Sequence, residues 1–175
     1  MTVPAIDDSC LNYTTLTCSY SAAVRVPRQF FPGQLNHNGT VFGGAMLAEV
    51  DRICGIVATR HASGPVTTAS YDAGEFVSPV FQGEIVEFSA SINGAWRSSM
   101  EVGVKVEAVN PIDGTRRHVF SAYFTFVAID GAGKPREIPK LISESAIEIN
   151  RRHDSEARRA ERLKKRLKRN STPPV

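Results

Sequence analysis

The twenty residues from Gly43 to Ala62 constrain this chain more than any other stretch. At 100° per residue, Met46, Leu47, Val50, Ile53, Cys54, Val57 and Ala58 fill one broad arc, with Glu49, Arg52, Thr59 and Arg60 opposite. That pattern predicts a helix over roughly 43–62, ended by Gly64-Pro65 and about 30 Å long at 1.5 Å per residue. A helix this apolar must be largely buried, so the rest of the chain has to supply its cover.

Beyond the helix the chain reads as strand after strand. Segments 66–76, 84–96, 98–108 and 117–129 read as strands, separated by turn signals at Ser78-Pro79, Gly83 and Asn110 through Gly114. Met100, Val102, Val104 and Val106 alternate with Glu101, Gly103, Lys105 and Glu107, which predicts one buried face and one wet face. A further strand is expected over 14–27, then a turn-rich loop to Gly39. A long charged helix over 142–169 carries a thin apolar stripe of Ala146, Ile149, His153, Ala160, Leu163 and Leu167. The organisation is then a flexible N-terminus (1–13), one α+β domain (14–141) and a C-terminal charged helix and tail (142–175). A sheet covers only one side of a helix, so its open edge and the far side of the helix call for a second copy.

Composition narrows the class. The apolar fraction of 42% and charged fraction of 22% are those of a globular domain. No apolar run approaches the roughly 18 residues of a membrane span. The start, MTVPAIDDSC, lacks the basic and apolar regions of a secretory signal, so a cytoplasmic protein is expected. Cys10, Cys18 and Cys54 are odd in number and show no C-x-x-C spacing, which argues against a disulfide scaffold or a zinc site. Residues 151–169 hold ten Lys/Arg against three Asp/Glu, so the tail is strongly basic and the remainder mildly acidic.

Unusual residue choices cluster between Asn36 and Asp51. Gly43 and Gly44 fall where the helix begins, where unpaired N–H groups and the positive dipole end can stabilise an oxyanion. The plainer alternative is a tight loop-to-helix turn with no ligand. Asp51 falls at the border between the apolar arc and small residues Gly44, Ala48 and Gly55, where a carboxylate is partly desolvated and a substrate has room. The alternative there is an Asp that leans to solvent and pairs with an Arg. Seven residues separate Gly44 from Asp51, about 10 Å along the axis, too far for one carbonyl to touch both. A site built from the glycines of one subunit and the Asp of another is easier to form. Cys54 and His61 are equally far apart, so a Cys-His nucleophile pair is excluded. His37 lies beside Asn36; His118 and His153 read as surface residues.

The segment NHNGTVFGGAMLAEVDRICGIVATRHA, followed by VTTASYDAGEF, closely resembles the cytosolic long-chain acyl-CoA thioesterases, including the brain-type enzyme and its short bacterial relatives. RSSMEV, FTFVAID and GKPREIPKL resemble that family too, so the likeness spans roughly residues 20–141. The combination N-x-x-G-x-x-F-G-G…D is far more specific than a glycine pair. The resemblance implies a single hotdog domain, an antiparallel sheet wrapped around the long central helix, with the basic helix appended. It implies hydrolysis of acyl-CoA to a free acid and CoA, by homodimers assembled as trimers of dimers. The catalytic pair would be Asn36 and Asp51 from opposite subunits. The N–H of Gly44, with Gly43, would polarise the carbonyl, and Thr68 would neighbour the site. Arg97, Ser98 and Ser99 occupy the place where the family meets the CoA nucleotide. No metal or cofactor is required, since CoA is part of substrate and product.

A rival reading is a non-catalytic, acyl-CoA-sensing hotdog that binds nucleic acid or another anionic partner through the basic helix. Intact Asn36 and Asp51 argue against it, as does the lack of aromatic residues after Phe126 for base stacking. A hotdog hydratase ranks below both, because its Asp-His dyad is missing.

Overall fold

The computed structural model of the chain describes residues 15–72 and 74–171. The expected flexible segment 1–13, including Cys10, lies outside the described residues. Helix α2 runs from Gly43 to Ala62, matching the hydrophobic arc, and buries Met46, Val50, Ile53, Cys54, Val57, Ala58, His61 and Ala62. Ser63 closes it in the left-handed conformation, and the Gly64 N–H reaches back to the Thr59 carbonyl. Full burial of one side chain such as Val50 or Val57 stabilises the fold by roughly 1.5–3 kcal/mol.

The sheet has the strand order β2-β5-β6-β7-β3, with β4 also paired to β7. These strands are β2 (Ala23–Arg28), β3 (Val66–Tyr71), β4 (Glu75–Phe76), β5 (Ile85–Ala95), β6 (Ser99–Val109) and β7 (Arg116–Ala128). All pairs within it are antiparallel. Helix α2 packs across β3, β5, β6 and β7. The inner face presents Phe88 and Ile92 of β5, Met100 to Val106 at alternate positions of β6, and Phe120, Phe124 and Phe126 of β7. This is the expected α+β architecture of one sheet around one helix.

Three details differ from the expected elements. The run 14–27 is not one strand. Short β1 (Thr15–Thr17) pairs in parallel with β8 (Lys140–Ile142), α1 (Cys18–Ser21) intervenes, and β2 then joins the main sheet. The run 66–76 breaks after Tyr71 and resumes as β4. Gly74 lies against the Phe120 ring, where any Cβ would collide. The last helix, α3 (Ala146–Ser171), begins four residues later than expected, because β8 takes up Ile142.

The largest correction concerns the outer face of the sheet. Glu101 was expected on a wet face, yet it is 0% exposed, because α3 lies over it. Helix α3 does not dock through its apolar stripe: Ile149, Leu163 and Leu167 remain exposed. It docks through polar groups. Arg158 makes hydrogen bonds of 2.7–3.3 Å to the Glu101 carboxylate, and Arg162 sits 2.8 Å from the same carboxylate and 2.6 Å from Asp72. Buried Ser155 donates to the Asn93 carbonyl of β5 at 3.2 Å. Arg158 lies 3.7 Å over the Tyr123 ring and Arg159 4.6 Å over Trp96, adding cation–π attraction.

Candidate active site

The loop before α2 is shaped by Asn36. Its backbone N–H donates to the Thr40 carbonyl at 2.8 Å, and Gly39, at φ 73°, turns the chain between them. The Asn36 Oδ1 accepts from the backbone N–H groups of Asn38 (2.9 Å) and Thr40 (3.2 Å). Two N–H donors at Oδ1 fix which way the amide faces. Its Nδ2 donates one hydrogen to Thr40 Oγ1 at 2.9 Å, leaving the second for another acceptor. So Asn36 builds the loop and still offers one donor.

That loop delivers the chain into α2 through Phe42, whose N–H is anchored on the Gln34 carbonyl. The first helical bond is Met46 N–H to Phe42 carbonyl, so the N–H groups of Gly43, Gly44 and Ala45 come before it, and no side chain caps the helix. Gly44 is exposed, and the Phe42 ring lies so close that a Cβ there would collide with it. At Gly43 a Cβ would stand 3.6 Å from the Phe76 ring. Glycine at both positions keeps the helix end open beneath two aromatic rings.

Asp51 lies two turns further along α2 and is half-buried. Its Oδ1 accepts a 2.8 Å hydrogen bond from Thr68 Oγ1 on β3. Among the described residues it forms no ion pair, which removes the reading of an Asp paired with an Arg. Thr68 is therefore a direct partner of the carboxylate. A threonine on the strand that returns along the helix was the available signal for it.

Arg97 and Ser98 lie in the turn between β5 and β6, and Ser99 opens β6. Ser99 and Thr67 both pair with Val127, so the turn stands two strands from the Thr67-Thr68 segment, about 10 Å across the sheet. It lies at the opposite end of the sheet from Gly43, since α2 spans about 30 Å between the two ends. Within one chain, the structure thus separates Asn36, Gly43 and Gly44 at one end from Arg97, Ser98 and Ser99 at the other, with Thr68 level with the second group and Asp51 reaching it from mid-helix. Strand β3 forms the sheet edge, and Thr67 through Tyr71 are exposed.

His118 and His153 are exposed, as expected, and so is His37; His61 and Cys54, two turns apart on α2, are both buried. Burial pushes the Cys54 thiol well above its ordinary range, with the Asp51 carboxylate adding to the shift. Among the described residues no group of three or more His, Cys, Asp or Glu is placed to hold a metal, and no helix is long and apolar enough to cross a membrane. A cleft of about 510 Å³ under α3 contains none of the expected site residues, whereas a recess of about 340 Å³ opens at Gly43.

Residues 38–114 match the family model described as the thioesterase superfamily. An uncharacterised acyl-CoA thioester hydrolase of Bacillus subtilis is 36% identical over 87% of this chain and 87% of its own length. An acyl-CoA hydrolase of Staphylococcus aureus, solved with butyryl-CoA and CoA, is 33% identical, with a TM-score of 0.83 over 90% of this chain and 96% of that one. A hexameric acyl-CoA thioesterase is 32% identical, with a TM-score of 0.83 over 87% of this chain and 97% of that one. The staphylococcal hydrolase was also solved as single alanine variants of an Asn, an Asp and a Thr. Those three are fifteen and then seventeen positions apart, as are Asn36, Asp51 and Thr68 here. The chain belongs to the thioesterase superfamily and, within it, to the acyl-CoA thioester hydrolases.

Proposed function

We propose that this protein hydrolyses acyl-CoA thioesters to a free carboxylic acid and CoA, with Asn36 and Asp51 of different subunits forming each site. One observation carries the reading. On a helix that sends Val50, Ile53 and Cys54 into the core, Asp51 stays half-open to water and is held by a hydroxyl rather than by a cation. A carboxylate so placed can take a proton from water as it adds to the thioester carbonyl, or attack that carbon itself to give a mixed anhydride that water then opens. In both routes the C–S bond breaks and the CoA thiolate leaves. The open N–H groups of Gly43 and Gly44 face the developing oxyanion, and the spare Asn36 amide hydrogen orients the thioester or the water. The equal spacing of the altered Asn, Asp and Thr in the staphylococcal hydrolase supports these roles. The chemistry needs no metal or cofactor.

The separation of these parts within one chain supports a site shared by two subunits. A two-fold axis beside β3 would pair the exposed edges of two copies and bring the Asp51-Thr68 half of one to the Asn36-Gly44 half of the other. Arg97, Ser98 and Ser99 of the subunit that supplies Asp51 and Thr68 would then meet the CoA phosphates. Phe42, Tyr71, Phe76 and Val77, all about half exposed or more, would be covered in such an assembly. Three dimers would make the hexamer. We assign the protein to the cytoplasm, in keeping with its buried free Cys18 and Cys54. Helix α3 turns Arg158, Arg159 and Arg162, three of the ten basic residues in 151–169, onto its own sheet, which takes them from the surface that the nucleic-acid-binding alternative would use.

A screen from acetyl- to palmitoyl-CoA with released thiol as readout tests the activity. Asp51→Ala should abolish turnover with the oligomer intact, and Asn36→Ala should cost at least about tenfold. Mixing the two inactive variants and reassorting subunits tests the shared site. Half of the dimers are then mixed, and each mixed dimer has one wild-type pair, so about a quarter of wild-type activity returns. No recovery after verified subunit exchange would mean that both residues act within one chain.

A further inference from the structure

The geometry points to an anionic lipid surface as a partner of helix α3: its last turns lie on such a surface through Leu163 and Leu167, with lysines and arginines on either side. The helix docks on the sheet with Ser155, Arg158 and Arg162. At 100° per residue, Ile149, Ala160, Leu163 and Leu167 stand roughly 110–170° round the helix from the centre of that docked side. All four are exposed, Leu163 at 48% and Leu167 at 71%. A copy joined edge to edge along β3 continues the sheet and leaves this side of α3 uncovered, since it faces away from the sheet at the far side of a helix about 10 Å across. The aromatic patch assigned to the subunit contact belongs to the other face: the Tyr71 ring lies on buried Phe124 and the Phe76 ring on buried Phe120.

Charge says what covers the stripe. No acidic residue follows Glu161, and Lys164 to Arg169 holds five Lys/Arg around Leu167. Round the helix, Lys164 and Lys168 flank the leucines on one side and Arg166 on the other. Lys164, Lys165 and Arg166 are exposed, and among the described residues no carboxylate pairs with any of the three. Arg158 and Arg162, by contrast, spend their charge on Glu101 and Asp72. Further up the stripe, Glu156 pairs with Arg152 at 3.6 Å between Ile149 and Leu163, which confines the seat to the end of the helix. Leucines on the crest and cations on both flanks suit the boundary of a bilayer: the leucines enter the acyl layer and the cations meet the anionic headgroups. A nucleic acid would use the cations but offers the leucines no apolar cover, and a second α3 would set like charges together. Each cation near such a surface favours binding by about fivefold. Binding of this kind is independent of the hydrolase chemistry.

The test is flotation of the intact chain with vesicles of phosphatidylcholine, alone or with about one third phosphatidylserine, at low and high salt. The wild type should float with the phosphatidylserine vesicles, stay behind with phosphatidylcholine alone, and be released as salt screens the charges. Lys164→Gln/Lys165→Gln/Arg166→Gln should weaken binding by about a hundredfold, roughly five for each cation. Leu163→Ala/Leu167→Ala keeps every charge and the helix, and should still weaken binding by about tenfold or more. Both variants retain Arg158 and Arg162, so α3 stays docked. Vesicle binding by the leucine variant within about twofold of wild type would overturn the lipid seat and leave a contact by charge alone, as for a DNA duplex. A leucine variant with a smaller assembly than wild type would overturn it as well, placing the leucines between copies. No flotation of the wild type with phosphatidylserine vesicles would end it outright.

Discussion

Glu101 sits on the central strand β6 with 0% exposure, and its counter-charges all come from α3: Arg158, 23% exposed, and Arg162, 18% exposed. Replacing both arginines by alanine while keeping the helix leaves a carboxylate with no cation and no water. Stripping the partner from a buried ion pair costs about 3–5 kcal/mol. For a chain of this size that corresponds to a Tm lower by roughly 6–20 °C. The protein has one escape: α3 can lift off and let water reach Glu101. The loss is therefore capped by the free energy of docking α3, and lifting would expose the helix to protease. Arg158→Ala/Arg162→Ala should thus either lose several kcal/mol with α3 protected or lose less with α3 cleaved. Removing residues 146–175 hydrates Glu101 outright and should cost less than the double substitution with α3 still docked. Thermal unfolding at fixed protein concentration, read beside limited proteolysis, separates these cases. A loss under about 1 kcal/mol with α3 still protected would refute the claim that these arginines compensate a desolvated carboxylate.

Three further outcomes rest on individual side chains. His61 is fully buried, shares Nε2 with the Pro139 carbonyl at 3.1 Å and has no partner at Nδ1; burial holds its pKa below the ordinary value of 6.5. The unfolded chain therefore takes up the proton first: stability is complete above pH 6.5 and falls below it, by at most about 1.4 kcal/mol per pH unit until His61 itself protonates. His61→Gln should flatten the Tm–pH curve between pH 7 and 5, and an unchanged slope would exclude His61 as its cause. Cys18 and Cys54 are buried with raised thiol pKa values, so neither should react with a thiol reagent in the native protein, and both should react once it is unfolded. Rapid native labelling of Cys54 would contradict the packing of α2. Gly44→Ala pushes a Cβ into the Phe42 ring, a side chain that can turn aside where backbone could not. The variant should fold with a Tm within a few degrees of wild type yet lose about tenfold or more in kcat, because the moved ring and added methyl crowd the oxyanion position. Wild-type kcat would argue that the N–H groups at this helix end do not touch the substrate.

What was legible in the residues, and what was not, divides along physical lines. Helix α2 was legible because its apolar arc answers to one neighbour, the inner face of the sheet. The central strands were legible because period-2 alternation on β6 answers to the same face. The seating of α3 was hidden because a search for apolar stripes assumes that docking is apolar. Here the outer face offers Asn93 and Glu101, and the helix answers with Ser155, Arg158 and Arg162. Nothing on strand β6 itself distinguishes buried Glu101 from exposed Lys105, since both lie on the outward side of one alternating pattern. Long-range ion pairs leave no local period. The site divides the same way. Gly43, Gly44 and Asp51 stood out because each breaks the rule of its position on α2. Thr68 breaks no rule on an edge strand, and its meaning comes from the 2.8 Å contact with Asp51. Asn36 is the subtler case. Its residue type fits both a turn and a catalytic donor, and the loop gives it both tasks: Oδ1 binds two backbone N–H groups and Nδ2 keeps one hydrogen to spare. A substitution there perturbs loop and chemistry together, so Asn36→Ala alone does not isolate the donor. Asn36→Asp is the sharper probe. Its carboxylate still accepts the N–H groups of Asn38 and Thr40 but has no hydrogen to give, so the loop should keep its shape while turnover falls. If Asn36→Asp kept wild-type turnover with the loop intact, Asn36 would be a residue of the turn and no more.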